Sequence, residues 1–380
     1  MPDIPQELID AIIDQVPDSS LAACSLTATA FVPSSQRRLF RWMSLSTLSR
    51  YERTAALLAS SPHLGQYVRS LALHIKTIPK DYAHLKAILS LLPEIERLSI
   101  VGDANTAPRN QLGQNPCLVD LMSLPSLTCV ALHHLSDVPS SLISRALGSF
   151  VQVSVSFLSI TDEDQSSAEL PPPTDLWHLR VSMDVYDVIV PFVLQPKRLP
   201  HLQQLARLCF VFSPIPDALQ PRFMALLAAC SNTLEHLELE LEAPLELPPL
   251  PMLYSLELWL DVDLAKNPTL LASIVSQTGA CAPHLESLTL SLMDRPKRTP
   301  QLQHQWAPSA AEWSALDAAL MDMPDLWQAI FSLRHFIWDA TRYAAFVPYI
   351  EQKLPRAFDA ELLGFSQQLA FPHPMDCFVD

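Results

Sequence analysis

The sequence predicts an α/β chain: a small three-helix module at the N-terminus, followed by a curved, irregular solenoid of parallel strands with outer helices. Three observations carry this. A short apolar pattern recurs along residues 67–338 at intervals of 19 to 48 residues. Helix-period stretches lie between the recurrences. The first 45 residues carry more large apolar side chains than three short helices can bury among themselves.

The recurring unit is apolar-x-x-apolar-x-apolar. It is clearest in YVRSLAL, EIERLSI, TLEHLEL and HLESLTL, and weaker in SLTCVAL, FVQVSV, LWHLRV, LARLCF, MLYSLEL and SLRHFIW. With the middle apolar residue as marker, the ten units sit at Leu71, Leu98, Val130, Val153, Leu179, Leu208, Leu237, Leu256, Leu288 and Phe336. This resembles the strand signature of leucine-rich repeats, whose period is about 20–29 residues. The Asn usual in that family five residues after the marker is missing throughout, so irregular turns are expected. Leu85, Ile88, Leu89 and Leu92 follow helical spacing, as do Phe223, Leu226, Leu227 and Cys230, and Trp313, Leu316 and Leu320 mark a further face. Strand and helix in alternation imply parallel strands with packed helices, and repetition makes the array a solenoid.

The opening segment reads as helices. Pro5 suits a first helical turn. Leu8, Ile9, Ile12, Ile13 and Val16 form a broad apolar stripe, which Pro17 ends. Ser19 or Ser20 is expected to cap a second helix, and Ser34 or Ser35 a third. A module this small needs metal, disulfides or a partner. Neither a ligand cluster nor a cysteine pair is present, so a partner is expected. The same face can also cap the first repeat, as solenoid ends require.

Ile4-Pro5-x-x-Leu8-Ile9-x-x-Ile12-Ile13, Leu21-Ala22-Ala23-Cys24-Ser25-Leu26, Phe31 and Arg38-Leu39-Phe40 resemble the F-box, in the order and spacing of F-box proteins from mushroom-forming fungi. The family usually has Trp where Phe31 stands, so an indole N–H donor is lost there. The resemblance implies that Ile4, Pro5, Leu8, Ile9, Ile12, Ile13, Leu21, Ala22, Cys24, Leu26, Phe31, Leu39 and Phe40 meet a Skp-type adaptor. Through it the chain would join a cullin carrying a RING subunit. The solenoid would hold a target protein for ubiquitin transfer. An interaction scaffold without a ligase role is the alternative. The expected division is residues 1–45 for the F-box, 46–65 for a linker helix, 66–340 for the solenoid and 341–380 for a helical cap and tail.

Bulk composition limits the partners. A net charge of −15 disfavours nucleic acid and anionic lipid. No apolar run reaches membrane-spanning length. Seven scattered cysteines without a C-x-x-C fit a reducing, intracellular compartment, cytoplasm or nucleus. Six glycines leave no phosphate-cradling or nucleophile-elbow motif. No catalytic residue, cofactor or metal is therefore assigned, and no enzymatic activity is expected. Strand alternation assigns the positions one and three residues after each marker to the concave face. There Glu238, Glu240, Glu257 and Trp259 gather, an aromatic among carboxylates suited to a basic target; the alternatives are an ordinary solvated strand face, and a Trp259 covered by the insertion before the last unit. Arg180, on the same face, is expected far from them. Residues 101–117, 161–174 and 294–309 read as loops.

Overall fold

The computed structural model describes the chain except for residues 1–3, 75–82, 103–119, 162–175, 183–184, 197–198, 212–216, 242–245, 262–267, 295–309, 336–339 and 370–380. The three long loops lie outside the described residues apart from 101–102, 161 and 294, and so does the tenth expected marker, Phe336. The chain divides into two compact units, Met1–Pro171 and Pro172–Asp380. Among the described residues, no helix is long and apolar enough to cross a membrane.

The first unit opens with α1 (Gln6–Asp14), α2 (Asp18–Thr27), a 3-10 turn at Thr29–Phe31 and α3 (Val32–Phe40). Strand β1 (Trp42–Leu45) follows, then α4 (Leu48–Ser60), β2 (Ser70–His74), α5 (Ala83–Leu89), β3 (Arg97–Val101), β4 (Cys129–Pro139), α6 (Ser140–Ser149) and β5 (Gln152–Thr161). Each strand pairs in parallel with the next. The second unit carries β6 (His178–Ser182), α7 (Tyr186–Val193), the short α8 (Leu199–Leu202), β7 (Arg207–Val211), α9 (Gln220–Cys230), β8 (His236–Leu241) and β9 (Ser255–Asp261). After these come α10 (Pro268–Cys281), β10 (Ser287–Asp294), α11 (Ala310–Met321), β11 (Gln328–His335), α12 (Ala340–Lys353), α13 (Pro355–Asp359) and β12 (Leu363–Leu369). Its strands too pair in parallel and in sequence order. Within each unit this is a solenoid-like α/β array.

The repeat register is the one read from the sequence. Leu71, Leu98, Val130 and Val153 stand opposite one another across successive strands. So do Leu179, Leu208, Leu237, Leu256 and Leu288. The residues three before and two after each marker, such as Val68 and Leu73 or Leu285 and Leu290, are buried with it. Each unit thus closes one continuous apolar seam.

Three strands differ from expectation. Ala329 occupies the tenth marker position opposite Leu288, seven residues before Phe336. A small side chain at the marker hides that repeat, because Ala gives almost no periodic signal. Met43 of β1 and Leu363 of β12 extend the register at the two ends. The sheet therefore takes in segments that the sequence reading assigned to the helical module and to the C-terminal cap.

A backbone device stands in for the missing Asn ladder. In nine of the strands the carbonyl two residues before the marker position accepts from two amides of the following repeat. Arg41 O accepts from Arg69 N (2.9 Å) and Ser70 N (3.0 Å), and Arg69 O from Glu96 N (2.8 Å) and Arg97 N (3.0 Å). Glu96 O and Thr128 O continue the series. In the second unit, Trp177, Ala206, Glu235, Tyr254 and Glu286 do the same. Both carbonyl lone pairs are used, so the turns into the strands are fixed without any particular side chain.

Where turns of neighbouring repeats touch, there is no room for a Cβ. One built on Gly65 would lie 1.9 Å from Leu91 O. Gly65→Ala is expected to lower unfolding stability by about 1–3 kcal/mol, read as a fall in the urea midpoint. An unchanged midpoint would contradict this packing.

Candidate functional site

The N-terminal module sorts its apolar residues onto two faces. Ile9, Ile13 and Leu21 are buried in one cluster, with Val16, Cys24 and Phe31 packed against it. Phe40 is part-buried. On the other face of α1, Leu8 is 57% exposed and Ile12 51%, and Ile4, just before the helix, is 55% exposed. Leu8 and Ile12 stand four residues apart on the helix and so form one outward stripe. Leu26, at 87%, Leu39, Ala22 and Pro5 are also exposed. Of the thirteen residues expected to meet the adaptor, seven thus face outward, while Ile9, Ile13, Leu21, Cys24, Phe31 and Phe40 build the support beneath.

Polar side chains hold that support. Arg38 on α3 reaches the C-terminal end of α1, donating to Ile13 O, which also accepts from Val16 N (3.1 Å), and to Val16 O (2.8 Å) just beyond the helix. Its other nitrogen donates to Asp18 at the start of α2 (2.6 Å). One guanidinium therefore ties three helices. The expected caps are corrected here. Pro17 precedes α2, which already begins at Asp18, and Phe31 precedes α3, because the 3-10 turn leads straight into it. Ser34 lies inside α3 and is buried, donating to Asp10 and accepting from Gln6 Nε2 (2.9 Å). The bond from Ser34, then one from Gln6 Nε2 to Asp10 Oδ1 (2.9 Å), hold the Asp10 carboxyl below its usual value. A cleft of about 940 Å³ beside α1 and α3 is lined by Asp10, Arg37, Arg38, Arg69, Glu94 and Glu96, among others. Arg37 pairs with Asp10 (3.4 Å) and Arg69 with Glu94 (2.7 Å), so its mixed charges favour neither an anion nor a cation.

The expected target face in the second unit is not open. Trp259 is fully buried (0% exposed), and Glu240, Ser291 and Ser332, in the same cross-strand row, are buried with it. An indole cannot be enclosed on a bare sheet face, so this row is covered. Alternation identifies a face but not what lies over it. Glu257 accepts from Ser291 Oγ (2.6 Å). Glu238 pairs with Arg180 (4.0 Å), contrary to their expected separation. The two stand two strands apart, about 10 Å, with only the short Cys209 between them in register. Long side chains span that gap.

The same face places Cys209 Sγ 3.5 Å from His178 Nε2. A thiol beside an imidazole suggests a nucleophile and its base, but the electrostatics run the other way. Burial, then Glu238, pushes the Cys209 thiol well above its ordinary value. Burial, then Arg207, Arg180 and His236, pushes His178 down to about 3. A base that weak does not take a proton from a thiol that reluctant. Arg207 also lies over the Trp177 ring, 5.2 Å from its centroid. Among the described residues, no group of three or more metal-ligating side chains gathers.

Two outcomes test this geometry. Leu8→Asp is expected to change unfolding stability by about 1 kcal/mol or less, whereas Ile13→Ala should cost about 2–5 kcal/mol. Equal losses in denaturant melts would mean that Leu8 is covered. For His178, the unfolded imidazole binds a proton near pH 6.5 and the folded one only near 3. The unfolded state holds the extra proton between these values, so stability falls as pH drops through that window. His178→Gln should make the fall shallower in melts taken at pH 7 and pH 4.5. These expectations rest on the chain's own geometry, since no protein-family model and no curated protein matches it.

Proposed function

We propose that this chain is the substrate-recognition subunit of a cullin–RING ubiquitin ligase of the SCF type. Its N-terminal module acts as an F-box that docks a Skp-type adaptor, and its repeat array holds a target protein. One observation carries the reading: the outward stripe of Leu8 and Ile12, with the exposed Ile4 and Leu26, on a module whose own core is complete without them. Covering such side chains contributes about 1–2 kcal/mol each, enough in sum to offset much of the cost of association. The order of helices and the motif resemblance agree with it.

Function in this reading is proximity. The receptor raises the concentration of target lysines beside an activated thioester, and no side chain of its own enters the reaction.

Calorimetric titration of the full chain with a fungal Skp-type adaptor tests the proposal. Wild type is expected to bind. Leu8→Asp combined with Ile12→Asp should weaken binding at least about 100-fold, near 2.7 kcal/mol, with the fold retained by circular dichroism. A wild-type chain that does not bind, or a folded variant that binds equally well, would sink the reading.

A further inference from the structure

The strand-leading edge of the second unit bears an exposed aromatic that the repeat pattern does not use. Trp327, two residues before the Ala329 marker, is 62% exposed. Its backbone N–H donates to Glu286 O (3.0 Å), which fixes Glu286 as its neighbour in the preceding repeat. Ala329 pairs with Leu363, so Glu361 holds the equivalent position in the following repeat. Both glutamates are exposed, and so is Asp325, which bonds His284 Nδ1 (2.9 Å). The exposed Phe358 belongs to α13, which Asp317 of α11 fastens by accepting from Arg356 N (3.1 Å) and Ala357 N (2.9 Å).

We propose that this edge, centred on Trp327 between Glu286 and Glu361, is a docking surface for a Lys/Arg-rich segment of a protein partner. Charge complementarity selects that occupant. An apolar partner would strip water from carboxylates on both sides of the indole and leave them unpaired. A lysine or arginine supplies their counter-charge and stacks on the ring face as well. The chain's charge of −15 attracts such a segment from a distance. The surface has the chemistry that Glu238, Glu240, Glu257 and Trp259 were expected to supply, and has it in the open. As the place where a target binds, it rests on the receptor reading above; as a surface for basic peptides, it stands alone.

Glu361 provides a clean variant. Its φ is +57°, and Leu362 N donates to Ala357 O (3.0 Å), so it sits at the left-handed position that closes a helix and that glycine fits best. Glu361→Gly should therefore stabilise the fold while removing a carboxylate from the surface.

The test uses the full chain and a fluorescein-labelled 14-residue peptide of Lys, Arg, Gly and Ser, followed by anisotropy at two salt concentrations, with an acidic peptide as control. Wild type should bind the basic peptide alone, more weakly at high salt. Trp327→Ala should weaken binding about five- to tenfold, Trp327→Phe less, and Glu361→Gly should weaken it while raising the urea midpoint. Adaptor titration should be unchanged in all three. Absence of binding, or equal binding by wild type, Trp327→Ala and Glu361→Gly, overturns the proposal, since general attraction to an acidic chain then accounts for whatever is seen. If adaptor binding fails while Trp327 dependence holds, the docking surface stands and the receptor reading falls.

Discussion

The doubly accepting carbonyl two residues before the marker, present in nine strands, is the constraint on which the repeat array depends. It sets the spacing of those successive repeats where their strands start, and it belongs to the backbone. Side chains at these positions are thereby released from structural duty, which is why the row can hold Arg41, Arg69, Glu96 and Thr128 in one unit and Trp177, Ala206, Glu235, Tyr254 and Glu286 in the other. A family that relies on an Asn ladder would not tolerate such variety. The same freedom leaves room for a surface such as Trp327 between two glutamates.

The N-terminal module solves a different problem with the same economy of parts. Its helices are too short to enclose all their apolar side chains, so α1 divides them. Ile9 and Ile13 face the small core, while Leu8 and Ile12 run along the outside and Ile4 is exposed just before the helix. Arg38 makes the division rigid by binding the end of α1 and the start of α2 together. A stripe held on a fixed helix is pre-organised for a partner, and less ordering cost remains at association.

Much of this was legible in the sequence. Within each unit the marker positions, four in the first and five in the second, lie in register because the apolar-x-x-apolar-x-apolar spacing reports burial directly, and burial dominates strand placement. The helices around Leu85, Phe223 and Trp313 were legible for the same reason. Ala329 was not, since a methyl group carries little periodic signal. Nor were the starts of α2 and α3, where Pro17 and the 3-10 turn overrode the serine caps. The apolar stripe of α1 was visible, but not its division, because Ile9 and Leu8 differ only in which neighbours they meet. The target face failed most clearly. Trp259 and Glu240 lie on the face that alternation gave them, yet covered, and Trp327 lies in a turn that no periodicity marks.

Hydroxyl-radical footprinting of the full chain, free and with a Skp-type adaptor, tests the central claim most directly. Leu8, Ile12 and Leu26 should react in the free chain and become protected with adaptor, while Ile9, Ile13 and Leu21 stay unreactive in both. Protection of Leu8 and Ile12 already in the free chain, or no change on adding adaptor, would contradict an outward docking stripe.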